Sequence, residues 1–202
     1  MKTMDTKKYI SLVAALLFLE ISSPVEACSC LPFVLQNSVC NANAVLQGKF
    51  LEPSQKPGSS PTDVEKGYKV HIDKVLKGNQ TLISVTFIKS MSGTSCEYHH
   101  DRSGFNVEYL FTASDNNGDL TVSSCSYIKR WSEMSSKEIL GVEGAYLKGC
   151  NCKVVPCSSQ PCSSEPRTCT LEQYEGGDGE NQRKNQVCVP SKGPRCIWKT
   201  IE

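Results

Sequence analysis

Histidine is scarce in this chain of 202 residues, which contains only His71, His99 and His100. These three do not form the His-Glu-x-x-His motif of zinc peptidases, and no Ser/His/Asp arrangement accompanies them. Cys-x-x-Cys spacing, which structural zinc sites prefer, is also missing. We therefore expect neither an enzyme nor a protein with a metal of its own. We interpret His99-His100 as a solvated pair in a loop rather than as a second metal site.

The chain also lacks excess charge and long apolar segments. Its formal net charge is +1, which argues against a nucleic-acid binder. The apolar run at residues 9–19 is far shorter than the ~20 residues of a membrane span. It follows three lysines and precedes Val25-Glu26-Ala27, which predicts a signal peptide over residues 1–27, cleavage after Ala27 and export; an uncleaved anchor is the alternative. The sequence Asn79-Gln80-Thr81 predicts a glycan on a surface turn.

Cysteine is abundant in the chain, and all twelve cysteines follow residue 27. An even number in an exported chain predicts six disulfides and no free thiol. The cysteines are sparse between Cys40 and Cys150, whereas seven fall within residues 150–196. We therefore predict two domains, at residues 28–150 and 151–202. The second is short and poor in large apolar residues, so it must depend on cross-links for stability.

The first part of the chain has the alternation of apolar and polar residues that is typical of half-buried strands. Five strands are predicted, around residues 44–51, 68–73, 82–88, 107–111 and 120–122. An exposed loop at residues 52–67 and a turn at residues 115–118 should separate them. Five short strands with short helices favour a mainly β fold, a five-stranded Greek-key barrel of the OB type, with a sandwich equally open.

Two short helices are expected around these strands. One should begin near Asn37 or Ser38, and the other should follow Ser135, which with Glu138 forms a plausible capping box. Residues 151–202 show no helical periodicity and are punctuated by proline and serine. For this second part we predict short β-hairpins held together by disulfides.

These features together resemble the tissue inhibitors of metalloproteinases over the whole chain that follows the predicted signal peptide. The shared features are Cys28-Ser29-Cys30 followed by Pro32, Cys40, Gly48-Lys49-Phe50, Tyr68 with Lys77-Gly78, Trp131 after Cys125, Gly149-Cys150-Asn151-Cys152, Pro156-Cys157, Pro161-Cys162 and Trp198. The resemblance implies an OB-type, netrin-like first domain. It also implies a disulfide connectivity that spacing could not supply. The implied pairs are Cys28 with Cys96, Cys30 with Cys125, Cys40 with Cys150, Cys152 with Cys196, Cys157 with Cys162, and Cys169 with Cys188.

The resemblance further implies a secreted monomer located in the extracellular matrix. It would inhibit matrix-metalloproteinase-type zinc endopeptidases by binding them one-to-one. The α-amino and carbonyl groups of Cys28, as the first mature residue, would bind the catalytic zinc of the target enzyme. Ser29 would point toward the pocket beside that zinc. The second domain is a candidate for binding a pro-enzyme or matrix. Implied protease contacts are Cys28, Ser29, Cys30, Leu31, Pro32, Thr94, Ser95 and Cys96.

Some positions depart from the family pattern, and two other functions compete with inhibition. The departures at Phe33-Val34-Leu35, Gln47 and Ser95 bear on target preference and affinity rather than on the chelating group. The first competing function is a non-inhibitory, netrin-like module that binds matrix or a receptor. The second is a structural matrix component. Inhibition requires Cys28 to be the first residue, whereas a binding module tolerates residues ahead of it.

Overall fold

The computed structural model describes residues 28–30, 34–58, 64–82, 84–116, 118–162 and 165–202. The predicted signal peptide and the two contact residues Leu31 and Pro32 lie outside the described residues. Within the described part of the chain, no helix is both long and apolar enough to cross a membrane.

The first part of the chain forms a closed barrel of five strands. Its strands are β1 (Ala44–Pro57), β2 (Val64–Lys77), β3 (Val85–Ser90), β4 (Glu108–Asn116) and β5 (Asp119–Val122), and a short β6 (Ile128–Arg130) pairs with β4. Pairing runs in the order β1-β2-β3-β5-β4, and β4 returns to β1 to close the ring. Within the barrel, β3 and β5 pair in parallel and the other described strand pairs are antiparallel. This ring confirms the OB-type barrel, and the sandwich alternative is wrong.

The barrel encloses a core built from one face of each strand. In β2, Val70 and Ile72 are fully buried, while Lys69 and Asp73 on the other face are exposed. Each such side chain contributes about 1.5–3 kcal/mol by leaving water. The other strands supply the remaining buried side chains of this core, including Leu46, Phe50, Ile88, Phe111, Leu120 and Val122.

A long two-stranded arm replaces most of the loop predicted at residues 52–67. β1 and β2 stay paired from Glu52 opposite Lys69 out to Pro57 opposite Val64. Pairing of β1 with β4 ends at Lys49, so the distal part of β1 has a neighbour on one side only. Proline is tolerated in such a strand because its missing N–H need not serve a second neighbour. The prediction of a loop was therefore wrong for residues 52–57 and 64–67, which are strand.

Helical segments pack against one side of the barrel. They are α1 (Leu35–Asn41), α2 (Ser136–Leu140), a π-helical turn (Gly141–Ala145) and α3 (Tyr146–Lys148). Short 3-10 turns occur at Gln80–Leu82, Arg102–Gly104 and Trp131–Glu133. Ser135 caps α2 and forms the predicted capping box with Glu138. The first helix begins slightly earlier than predicted, at Leu35.

The last part of the chain contains two strand pairs and one helix. β7 (Lys153–Cys157) pairs with β8 (Thr168–Glu172), α4 (Gly179–Asn185) follows, and β9 (Gln186–Pro190) pairs with β10 (Cys196–Thr200). β9 and β10 form the expected hairpin, but β7 and β8 are parallel, so that pair is not a hairpin. α4 was not predicted, because its sequence lacks an apolar stripe and its buried side chain is that of Gln182.

The two parts of the chain share apolar packing. One cluster combines residues of the first part with Val187 and Ile201 from the last part. A second cluster places Val34 against Cys152 and Leu171. The members contributed by the first part to the shared cluster are Leu35, Val39, Val45, Leu110, Met134, Val142 and Tyr146.

Candidate functional site

The first described residues lie on two loops at one end of the barrel. Cys28 forms a disulfide with Cys96, and Cys30 forms one with Cys125. Their Cα atoms are 5.0 Å and 5.2 Å apart, respectively. We call the surface formed by residues 28–30, 94–96 and 123–126 the N-terminal edge.

The parallel pairing of β3 and β5 explains why these two loops meet. Ser90 at the end of β3 lies opposite Val122 at the end of β5, so both strands deliver their following loops to the same end of the barrel. The backbone N–H of Met91 donates to the Val122 carbonyl at 3.2 Å. Further out, the N–H of Ser124 donates to the Cys96 carbonyl at 2.9 Å. The loops are therefore joined to each other as well as to residues 28–30.

The two disulfides of the N-terminal edge are in contact. The Sγ atoms of Cys28 and Cys125 are 3.4 Å apart, and the Ser124 hydroxyl lies 3.2 Å from the Cys28 sulfur. All twelve cysteines are paired, in the six pairs that the family resemblance implies. The close grouping of Cys28, Cys30 and Cys125 therefore offers no thiolate to a metal ion.

The N-terminal edge is exposed and carries no charged side chain at residues 28–30 or 94–96. Ser29, Thr94 and Ser95 are exposed. The hydroxyl of Thr94 donates to the Met91 carbonyl at 2.8 Å and accepts from the Cys96 N–H at 3.2 Å, which shapes the turn before the cysteine. The described members of the predicted contact set thus come together on one surface. Leu31 and Pro32 remain outside the described residues.

The β1–β2 arm projects at the same end of the barrel. Gly67 of β2 lies opposite Lys89, one residue before β3 ends, so the arm continues past the end of β3. Glu65 in the arm pairs with Lys89 at 2.7 Å and with Lys56 at 3.3 Å. The hydrogen bond from Lys89 lowers the pKa of Glu65. These ion pairs are only partly exposed and link the two strands of the arm to each other and to β3.

The histidine pair behaves differently from our prediction. His99 is exposed, but His100 is partly buried and its ring stacks on Phe50 with centroids 4.3 Å apart. Its Nδ1 lies 2.6 Å from the Tyr98 hydroxyl. The prediction of a solvated pair is therefore wrong for His100, because aromatic rings of the barrel surround it. Sequence reasoning also missed Ser90 and Ser124, since no motif marks a hydroxyl that contacts a loop.

Asn79 lies at the opposite end of the barrel, directly after β2. β3 runs antiparallel to β2, so the end of β2 is distant from the N-terminal edge that follows β3. Asn79 is exposed, and its Oδ1 accepts hydrogen bonds from the N–H of Thr81 at 3.0 Å and from the Thr81 hydroxyl at 2.9 Å.

The fold and site together define a small disulfide-linked barrel in which Cys28 and Cys30, among the first described residues, are bonded to surface loops. Residues 26–198 match the model of one protein family, tissue inhibitor of metalloproteinase. The chain belongs to this family. It is 27% identical over 199 residues to metalloproteinase inhibitor 3 of Scyliorhinus torazame, covering 96% of this chain and 91% of the relative. It is 29% identical over 198 residues to metalloproteinase inhibitor 2 of Gallus gallus, covering 91% of this chain and 86% of the relative.

Family membership confirms the resemblance drawn from the sequence, and with it the fold class. It also confirms that the chain belongs with protein inhibitors rather than with enzymes.

Proposed function

We propose that this protein is secreted and inhibits matrix-metalloproteinase-type zinc endopeptidases, one inhibitor to one enzyme. The α-amino nitrogen and carbonyl oxygen of Cys28 bind the catalytic zinc of the enzyme. The observation that carries the proposal is the attachment of Cys28 to an exposed, uncharged surface by its disulfide to Cys96, beside the disulfide of Cys30. The names of the relatives, metalloproteinase inhibitors 2 and 3, support the class of target.

The chemistry of an amino-terminal residue fits this role. The α-amino nitrogen and the carbonyl oxygen of one residue close a five-membered ring on a metal ion, and they take the place of the zinc-bound water that acts as nucleophile. The amine must be neutral to donate. Its ordinary pKa of ~7.7–8.0 is low enough for a zinc ion to displace the proton.

Attachment to the barrel reduces the entropic cost of binding. A free chain end loses about 1–2 kcal/mol per residue when its backbone becomes ordered. Residues 28 and 30 are already held by disulfides, so most of this cost is met on folding. Ser29 is exposed between them, and in this proposal its side chain enters the pocket beside the zinc. Thr94 and Ser95, on the loop that is linked to Cys28 through Cys96, also contact the enzyme, and the β1–β2 arm reaches its rim.

One added residue tests the proposal. An alanine inserted before Cys28, or acetylation of its amine, should abolish inhibition of a matrix metalloproteinase catalytic domain, because the nitrogen becomes an amide that cannot donate to zinc. The measurement is an inhibition constant, with intact mass and amino-terminal analysis of the secreted protein to establish its first residue.

The matched control adds one alanine after Glu202 and should inhibit like the unmodified protein. Thermal unfolding of both variants should be unchanged, since the disulfides remain. Full potency of the amino-terminally extended form would refute chelation by Cys28. Absence of inhibition by an unmodified protein that begins at Cys28 would instead favour a netrin-like binding module.

We also propose that Asn79 carries an N-linked glycan. The acceptor amide is exposed, and its Oδ1 is hydrogen-bonded to the Thr81 hydroxyl of its own motif. Peptide-N-glycosidase F should reduce the mass of the secreted protein, and Thr81→Ala should remove that shift while Thr81→Ser keeps it. Because the site lies far from the N-terminal edge, deglycosylation should leave the inhibition constant unchanged. An unshifted mass would contradict the assignment.

A further inference from the structure

The loop that carries Cys96 leaves the sheet at Ser90 and has no strand partner for residues 97–100. The backbone at this part of the loop is bonded to side chains instead. Ser90 is 2% exposed, and its hydroxyl forms two hydrogen bonds. It accepts from the N–H of Tyr98 at 3.0 Å and donates to the carbonyl of Tyr98 at 2.9 Å.

Tyr68 of β2 holds the same stretch of backbone from a second side. Its hydroxyl donates to the Tyr98 carbonyl at 3.1 Å and accepts from the N–H of His100 at 2.8 Å. The residue is 8% exposed, and its ring packs edge-on against Phe50. The hydroxyl therefore has little freedom to move. We call the hydroxyl groups of Tyr68 and Ser90 the hydroxyl latch.

These contacts determine the loop conformation because polar groups next to a core must find partners. A buried N–H or carbonyl that loses its partner costs about 1–3 kcal/mol. The four hydrogen bonds of the hydroxyl latch satisfy the N–H and carbonyl of Tyr98 and the N–H of His100. A path that moved this stretch of the loop away from Tyr68 and Ser90 would break these four hydrogen bonds.

Only a short connection separates the hydroxyl latch from Cys28. Tyr98 is two residues from Cys96, a span of at most about 7 Å. Cys96 is bonded to Cys28, with Cα atoms 5.0 Å apart. The N–H of Ser124 donates to the Cys96 carbonyl. The position of Cys28 therefore depends on where the hydroxyl latch places the loop.

We infer that Tyr68 and Ser90 are positioning residues for Cys28: their hydroxyl groups hold the loop of Cys96 and so place the amino and carbonyl groups that the proposed function assigns to zinc. The inference rests on that proposed function. Neither residue touches the enzyme. Both act through the backbone of Tyr98 and the disulfide of Cys28.

Tyr68→Phe tests the inference, because it removes one hydroxyl and keeps the ring in the core. The substitution removes both hydrogen bonds of the Tyr68 hydroxyl. The inhibition constant should rise by at least about two- to tenfold, the range expected for the loss of a single hydrogen bond. Concentrations are fixed by active-site titration, so that a fall in the folded fraction does not imitate weaker binding.

Tyr109→Phe is the matched control. It removes a hydroxyl from the same aromatic group, but that hydroxyl accepts from Arg130 at 3.3 Å rather than from the loop. The control should inhibit like the unmodified protein. A residue with a merely structural role would lower the unfolding temperature without changing the inhibition constant. Equal inhibition constants for Tyr68→Phe and Tyr109→Phe would overturn the inference.

Amide hydrogen exchange provides a second measurement that does not depend on any protease. The amide of His100 should exchange faster in Tyr68→Phe, and the amide of Tyr98 faster in Ser90→Ala, whereas Tyr109→Phe should leave both unchanged. Unchanged exchange in the first two variants would refute the hydroxyl latch. If the unmodified protein failed to inhibit at all, the proposed function would fall, and the exchange data would still decide whether the hydroxyl groups hold the loop.

Discussion

His100 illustrates how neighbours decide the chemistry of a single residue. Its ring lies among Phe50, Phe105 and Tyr109, with centroid distances of 4.3–5.1 Å. Burial lowers the pKa of His100. The nearby backbone of Gly104 and the charge of Asp101 raise this pKa, and the charge of Arg130 lowers it further. The hydroxyl of Tyr98 also faces the ring, and burial raises the pKa of that hydroxyl. The folded state therefore favours the uncharged imidazole.

Stability should consequently fall under mild acid. A histidine whose pKa is lower in the folded state binds fewer protons there than in the unfolded chain, so its contribution is complete above the ordinary pKa of ~6.5 and is lost as pH falls toward the lowered value. Unfolding temperatures measured between about pH 7.5 and 5.5 should decline, and His100→Phe should flatten this decline. His99→Gln, at the exposed neighbouring residue, is the control and should retain the decline in unfolding temperature. A decline that persists fully in His100→Phe would contradict the assignment.

At the scale of elements, α2 was predictable because its starting signal is local. The Ser135 hydroxyl accepts from the N–H of Glu138 at 3.2 Å, and the Glu138 carboxylate accepts from the N–H of Ser135 at 2.7 Å. All partners lie within four residues, so the sequence alone carries the information. The β1–β2 arm was not predictable in this way, since its prolines are acceptable only because β4 stops pairing at Lys49.

Loss of the capping box should destabilise the protein measurably. Ser135→Ala removes the acceptor for the Glu138 N–H and should lower the free energy of unfolding by about 1 kcal/mol. Denaturant titration is the measurement. Ser136→Ala, one position further and inside the helix, should change the value by less than about 0.5 kcal/mol. Equal effects of the two substitutions would argue against a capping role for Ser135.

At the scale of the whole molecule, Gln36 of α1 joins the two parts of the chain. This residue is 3% exposed. Its Nε2 donates to the carbonyls of Gly149 at 3.2 Å and Cys188 at 2.7 Å, and its Oε1 accepts from the Cys188 N–H at 2.8 Å. The shared apolar cluster with Val187 and Ile201 lies beside it. Residues 28–150 and 151–202, predicted as separate domains, are thus in close contact.

Loss of the Gln36 hydrogen bonds should lower the free energy of unfolding more than loss of an amide nearer the surface. Gln36→Ala leaves buried backbone groups unpaired and should reduce the free energy of unfolding by about 1–3 kcal/mol. Gln47→Ala, which removes a hydrogen bond to Glu108 nearer the surface, should change it by about 0.5 kcal/mol or less. The two values come from denaturant unfolding under identical conditions. A Gln36→Ala variant as stable as Gln47→Ala would show that the link contributes nothing.

The sequence by itself determined the features that depend on near neighbours. Strand alternation, the capping box of α2 and the turn before β5 follow from contacts within a few residues, and the order of the cysteines identified the family. Only the tertiary structure decided the features that depend on distant partners: the arm in place of a loop, the parallel β7–β8 pair, the burial of His100 and the hydroxyl latch. The reason is physical. Hydrogen bonds and burial between residues remote in sequence exist only after the barrel closes, and the parallel ends of β3 and β5 then bring the loops of Cys96 and Cys125 to Cys28 and Cys30.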